Sequence, residues 1–240
     1  MKAMVIRFRH PVPYSQASRL QDALGAARIA GDIPDTILLL EHPPVVTLGR
    51  RKRDNHLHIR PEVLAERGIE FAVSSRGGDV TYHGPGQIVL YPILQLSPRV
   101  SGSHGYLWQL EEVALRSARA FGVEAFRRPN LSGAWTTRGK LAAIGFRIKR
   151  WVTSHGMSFN VSPDLTGFSV MAPCGLAGEP VTSLNEMLGP DCPSLPDAVD
   201  VLAVEAARTF GIEPRSTWAD AYEGPPRIGE LLASHTSLPA

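Results

Sequence analysis

At 240 residues, 43% of them apolar and 20% charged, the chain is long enough for one large domain, or one domain with a small appendage, and too apolar to be disordered. A net charge of only +2 excludes a bulk electrostatic affinity for nucleic acid. Two cysteines are too few for a disulfide scaffold, no apolar stretch approaches the roughly 18 residues needed to span a bilayer, and Met1-Lys2-Ala3-Met4-Val5-Ile6-Arg7 lacks the apolar core of a signal peptide, so a reducing cytoplasm is the expected setting.

Residues 5–8 read as a short strand. Residues 14–30 have helical spacing, with Leu20, Leu24 and Ala27 on one side and Gly31 at the end. The continuous apolar run at 36–40 predicts a buried strand, broken by Glu41-His42-Pro43-Pro44 and resumed at 45–48. A short helix is predicted at 61–67, with proline in its first turn, and a strand at 69–73. Further along come a strand at 88–94, a helix at 105–121 ended by Gly122, and a strand at 141–149. In that last strand Ile144, Phe146 and Ile148 alternate with Gly145, Arg147 and Lys149, which implies one buried face. Residues 155–161 read as a strand, and Ser183-Leu184-Asn185-Glu186 has the spacing of a capping box at a helix start. An amphipathic helix is predicted at 196–210. From residue 213 the chain is rich in Pro, Gly and Ser and is expected to form a loosely ordered tail, with the working domain at 1–212. Strands and helices mix without a strict βαβ rhythm, so the expected class is α+β, a mixed β-sheet with flanking helices.

Between two of these strands lies Arg76-Gly77-Gly78-Asp79-Val80-Thr81-Tyr82-His83-Gly84-Pro85-Gly86-Gln87, the densest concentration of glycine and functional side chains in the chain. Glycine lets backbone approach a ligand closely, so this run reads as a binding surface. Cys174, in Ala172-Pro173-Cys174-Gly175, is presented between a rigid and a small residue as a nucleophile would be; the same local sequence suits a buried, inert thiol. A thiol near its ordinary pKa needs a neighbouring cation or base. Lys140, at the entrance of an apolar strand, and His83, inside the glycine run, are the candidates. Cys192 reads as a loop residue without a role. His56-Leu57-His58 lacks a third ligand at recognisable spacing, so no metal is expected, and no phosphate-cradling P-loop is present. Two basic clusters, Arg50-Arg51-Lys52-Arg53 and Arg147, Lys149 and Arg150, read either as solvated surface or as docking patches for an acidic macromolecule.

Three segments, taken together, carry a resemblance. They are Arg76-Gly77-Gly78 with Thr81-Tyr82-His83-Gly84-Pro85-Gly86-Gln87; Gly139-Lys140-Leu141-Ala142-Ala143-Ile144-Gly145 with His155-Gly156-Met157-Ser158-Phe159-Asn160; and Pro173-Cys174-Gly175 with Val181-Thr182-Ser183-Leu184. In this order and spacing, with Glu41-His42-Pro43 and Thr47-Leu48-Gly49-Arg50 upstream, the chain resembles the octanoyl-acyl-carrier-protein:protein octanoyltransferases of lipoate biosynthesis over residues 5–211. The resemblance implies the biotin/lipoate protein ligase catalytic-domain fold. It implies that Cys174 carries the acyl group as a thioester, with Lys140 as its partner. It assigns substrate binding to Arg76, Gly77, Gly78, Asp79, Val80, Thr81, Tyr82 and His83, to Ala143, Ile144 and Gly145, and to Gly156, Met157 and Ser158. Asp79 sits where the family pattern varies and carries no catalytic weight. The implied donor is octanoyl-acyl carrier protein. The implied acceptors are lipoyl domains of 2-oxoacid dehydrogenase E2 subunits and the glycine cleavage H protein. No ATP, metal, nucleic acid or membrane is implied, and a monomer is expected. The rival expectations are an ATP-dependent ligase on the same fold, a thioesterase and a non-catalytic carrier-binding module.

Overall fold

The computed structural model of the protein describes residues 2–50, 59–96, 102–170 and 179–219. In chain order the elements are β1 (Lys2–Phe8), α1 (Tyr14–Ala30), β2 (Asp35–Leu40), β3 (Val45–Leu48), α2 (Pro61–Glu66), β4 (Glu70–Val73), β5 (Val80–His83), β6 (Gln87–Ile93), α3 (Gly102–Ala120), β7 (Phe126–Arg128), β8 (Leu131–Thr136), β9 (Gly139–Lys149), β10 (Val152–Asn160), α4 (Leu184–Leu188), α5 (Leu195–Phe210) and β11 (Glu213–Ala219).

Among the described residues there are two sheets: a mixed eight-stranded one, ordered β11-β1-β2-β6-β10-β9-β8-β7, and a three-stranded one, ordered β4-β3-β5. The large sheet is covered on both faces, which is why its central strands are apolar without alternation. Ala3, Val5, Ile37, Leu39, Ile88 and Leu90 pack with α3 and α5 on one face. Met4, Ile6, Phe8, Leu38, Leu40, Val89 and Tyr91 pack with Ala17, Leu20 and Leu24 of α1 on the other. Ile144, Phe146 and Ile148 pack on the α3–α5 side as the alternation predicts, but they are only half-buried, as are Gly145 and Arg147 between them. The small sheet has its own core of Val46, Leu64, Val80, Tyr82, Phe168 and Val170.

Capping chemistry follows the sequence closely. The Ser183 hydroxyl accepts the Glu186 amide at 3.1 Å, and α1 and α5 end on left-handed Gly31 and Gly211. The expected loose tail from 213 needs correction. Glu213–Ala219 forms β11 and pairs in parallel with all of β1, while Arg7 and Arg9 stack on Trp218 at 5.6 and 5.0 Å. Its polar composition conceals the strand: an edge position tolerates Pro214, and the pairing partner lies at the opposite end of the described chain. Residues 220–240 lie outside the described residues. Strands β7 and β8 are further additions to the elements expected from sequence, and part of the glycine run is itself the strand β5.

Gly86, at φ +86°, makes the turn from β5 into β6; a Cβ there would stand 2.4 Å from the Ser162 carbonyl oxygen. Its amide donates to Glu41 at 2.7 Å, and its carbonyl accepts the amides of Val161 and Ser162 at 3.2 and 2.9 Å. Gly86→Ala is expected to cost about 3 kcal/mol in urea unfolding, since backbone strain and a clash with fixed backbone add.

Candidate active site

The glycine run bridges the two sheets. The two residues leading into it, and its first residue, are clamped by side chains from three elements. Ser74 accepts the Tyr14 hydroxyl at 2.7 Å, Ser75 pairs with His155 Nε2 at 2.9 Å, and buried Arg76 donates to the Thr47 carbonyl at 2.7 Å and hydroxyl at 2.9 Å. The Gly77 amide then donates to the Phe146 carbonyl of β9 at 2.8 Å. Two missing side chains make this approach possible. A Cβ on Gly145 would lie 2.9 Å from the Gly77 oxygen, and one on Gly49 would lie 2.5 Å from the Gly78 oxygen.

Beneath the run lies a narrow recess, with about 40 Å³ open to the centre of a water-sized sphere. Its roof is Arg76, Gly78, Val80, Thr81 and His83; its floor is Ala143, Ile144 and Gly145 of β9 with Gly156, Met157 and Ser158 of β10. The register explains the space. Ala143 pairs with Ser158 and Gly145 with Gly156, so small residues meet on adjacent strands where a full side chain would fill the recess. Residues far apart in sequence but singled out there thus share one wall-to-wall site. Gly77 lines a neighbouring groove instead, Asp79 is buried in the run, and Tyr82 turns into the small sheet's core against Phe168 at 5.3 Å. Sequence reasoning does not anticipate Tyr14, Val89, Tyr91 and His155 in this lining. In the sequence His155 is only the first residue of a motif. Its left-handed φ of +55° leaves no mark there, and Tyr14 looks like an ordinary first helical residue.

Lys140 is buried on the same strand, its ammonium 4.7 Å from the Trp135 ring centroid. It lies three residues before Ala143, about 10 Å along the strand. The Lys140 amide donates to the Pro180 carbonyl at 2.9 Å, and its carbonyl accepts the Thr182 amide at 3.0 Å. Arg128 holds Glu179 in a two-pronged pair at 2.6 and 3.0 Å, keeping that carboxyl below its ordinary pKa, with the Lys140 charge contributing. Cys174 lies outside the described residues, as do Arg51, Lys52, Arg53, His56 and His58. Cys192 is half-buried, with its sulfur 3.7 Å from the Val161 carbonyl, and burial pushes its thiol pKa up.

A hydrogen-bond chain joins the run to Lys140. His83 Nδ1 donates to Gln87 at 2.6 Å, Gln87 to Asn160 at 2.8 Å, and Asn160 to the Thr182 carbonyl at 2.9 Å; the Thr182 amide in turn donates to Lys140. The proton on Nδ1 leaves Nε2 of His83 as the acceptor. His42 donates from Nδ1 to the Val12 carbonyl at 2.6 Å and accepts from the Tyr91 hydroxyl at 2.9 Å. Burial holds these histidines neutral. It depresses His42 to about 4 and His83, helped by nearby His42, to about 3. It depresses His155, helped by the Arg76 and Arg147 charges, to about 4. Among the described residues, no three His, Cys, Asp or Glu side chains converge as a metal site would require. No described helix is long and apolar enough to cross a membrane.

This arrangement is a recess lined by the glycine run, β9 and β10, with a buried lysine near the start of β9, on a mixed sheet with flanking helices. The chain belongs to the lipoyl protein ligase A/B catalytic domain family, whose model matches residues 13–206. Within that family its relatives are octanoyltransferases, and the protein is an acyltransferase. The octanoyltransferase of Chloroflexus aurantiacus is 40% identical over 218 residues, covering 90% of this chain and 97% of the relative. That of Syntrophotalea carbinolica is 48% identical over 178 residues, covering 74% and 81%. Among solved structures, lipoate-protein ligase A bound with ATP superposes with a TM-score of 0.73 at 14% identity, covering 98% of this chain and 94% of that one. The bipartite lipoate protein ligase of Thermoplasma acidophilum gives 0.72 at 15%, covering 98% and 92%. These two likenesses establish the fold.

The depressed histidines set an acid limit on stability. All three lie below the unfolded value near 6.5, so between pH 6.5 and about 4 the unfolded chain binds protons that the folded chain excludes. Stability present above pH 6.5 is therefore lost as pH falls through this window, by roughly 1.4 kcal/mol per pH unit for each histidine that stays neutral in the folded chain. Urea unfolding followed from pH 7 to 4 is expected to show this fall. His42→Gln is expected to make the slope shallower, because one excluded proton is removed.

Proposed function

We propose that the protein transfers an octanoyl group from the phosphopantetheine thioester of acyl carrier protein to the ε-amine of a lysine on a lipoyl domain, through a thioester on Cys174. The observation that carries this reading is the pairing of Lys140 with the chain just beyond Cys174. Pro180 follows Cys174 by six residues, at most about 22 Å of extended chain, and its carbonyl accepts the Lys140 amide at 2.9 Å. The octanoyltransferase relatives, which match most of the chain, supply the acyl group and the reaction class.

In the first step the Cys174 thiolate attacks the donor's thioester carbonyl. The carbon–sulfur bond to pantetheine breaks, and the pantetheine sulfur leaves with the proton given up by the Lys140 ammonium, which becomes neutral. In the second, the acceptor amine attacks the new thioester, the amide forms, Cys174 leaves as thiolate, and the amine's proton passes to Lys140. An ammonium close to the thiol favours the thiolate in the first step, and neutral lysine serves as base in the second. Exchange between thioesters is nearly neutral and aminolysis of a thioester runs downhill, so neither step calls for a nucleotide or a metal. The division of one transfer between two bulky carriers into two steps is the gain from covalent catalysis. Acceptors of this kind include lipoyl domains of 2-oxoacid dehydrogenase E2 subunits and the glycine cleavage H protein.

The test is transfer from octanoyl-acyl carrier protein to a purified lipoyl domain without ATP. Wild type and Cys192→Ala are expected to be active, and Cys174→Ala inactive. Lys140→Ala is expected to slow transfer by about 10² to 10⁴. Activity that appears only with free octanoate and ATP would replace this reading with that of a ligase.

A further inference from the structure

We infer that Tyr14 sets the length of acyl chain the enzyme accepts, its ring closing the inner end of the recess against the terminal methyl. The inference rests on the acyl-transfer reading above. The strand register gives the recess a direction. Moving along β9 away from Lys140, Ala143 faces Ser158, Gly145 faces Gly156, and His155 then pairs with Phe146. On the other side of β10, Val89 pairs with Ser158, so Tyr91 falls one step further from Lys140. With the thioester carbonyl held near Lys140, the acyl tail runs toward Tyr91, His155 and Tyr14.

That end is a fixed wall. The Tyr14 hydroxyl is bonded to Ser74 at 2.7 Å and the Tyr91 hydroxyl to His42 at 2.9 Å, leaving ring carbons to meet an aliphatic chain. His155 is held by Ser75 at 2.9 Å, and its amide is held by Gln21 at 2.7 Å. Tyr14 is 3% exposed and packs edge-on against His42 at 5.4 Å. It differs from the other two in origin. Tyr91 and His155 belong to adjacent strands of the sheet, whereas Tyr14 enters from the first residue of α1. Truncating it opens the recess toward the helix and leaves every strand intact. A rigid aromatic wall discriminates by overlap, so each methylene beyond the limit is rejected about tenfold or more.

The experiment compares transfer rates from hexanoyl-, octanoyl-, decanoyl- and dodecanoyl-acyl carrier protein. Wild type is expected to prefer octanoyl over decanoyl, which is two methylenes longer, by at least about 100-fold. Tyr14→Ala is expected to bring decanoyl to parity or above, and Tyr14→Phe, which keeps the ring and loses only the Ser74 bond, to keep the wild-type ratio. If Tyr14→Ala does not fold, Tyr14→Leu is expected to show the same shift. Ala143→Val, which narrows the recess without touching α1, is expected to move the preference toward hexanoyl. A Tyr14 variant that slows all donors by one factor, with the octanoyl-to-decanoyl ratio unchanged, overturns the inference while leaving octanoyl transfer standing. Wild type inert with every acyl carrier overturns the transfer reading itself, and the inference with it.

Discussion

One chain of hydrogen bonds ties the candidate site together: His83 to Gln87, Gln87 to Asn160, Asn160 to the Thr182 carbonyl, and Thr182 to Lys140. Each link joins a different part of the chain. The first lies in the glycine run, the second reaches β10, and the third reaches the segment that follows Cys174; the last returns to β9. Every side chain in it is buried, so no water competes for these bonds, and losing one partner leaves the next unsatisfied in a poorly solvated place. The chain therefore fixes the segment after Cys174 relative to Lys140 and fixes both relative to the roof of the recess. In the proposed mechanism, that is the geometry on which two successive acyl transfers depend.

The recess itself comes from omission. Elsewhere the large sheet is covered on both faces by well-filled helices. At Ala143, Gly145, Gly156 and Ser158 it carries small residues, and the glycine run lies over them, pinned by the Gly77 amide on the Phe146 carbonyl. The resulting space is bounded by strands and a clamped loop. An aliphatic chain placed there gains about 0.8 kcal/mol for each methylene removed from water. The three neutral histidines follow from the same arrangement: burial disfavours their charged forms, and the buried Arg76 charge adds to this at His83 and His155.

Much of this is legible in the chain. The central strands stand out as apolar runs because both of their faces are buried. Ser183 and Glu186, Gly31 and Gly211 mark helix ends by local chemistry. The site residues on the run, β9 and β10 stand out because unusual glycine content and functional side chains recur in fixed order. What is hidden depends on distant partners. Strand β11 exists because β1 offers it an edge, and its own residues read as a loop. Strand β5 sits inside a glycine run that looks wholly irregular, and is held by β3. Tyr14 and Tyr91 have no sequence mark of a site; one begins a helix and the other sits mid-strand, and only the packing of α1 over β6 brings them to the recess.

The central claim is that the acyl group passes through a thioester on Cys174. Intact-mass measurement after mixing the protein with octanoyl-acyl carrier protein, with no acceptor present, tests it most directly. One added octanoyl mass is expected, removed by hydroxylamine and abolished by Cys174→Ala. An adduct on Cys192, or efficient transfer by a Cys174→Ala enzyme that never carries the acyl group, would contradict it.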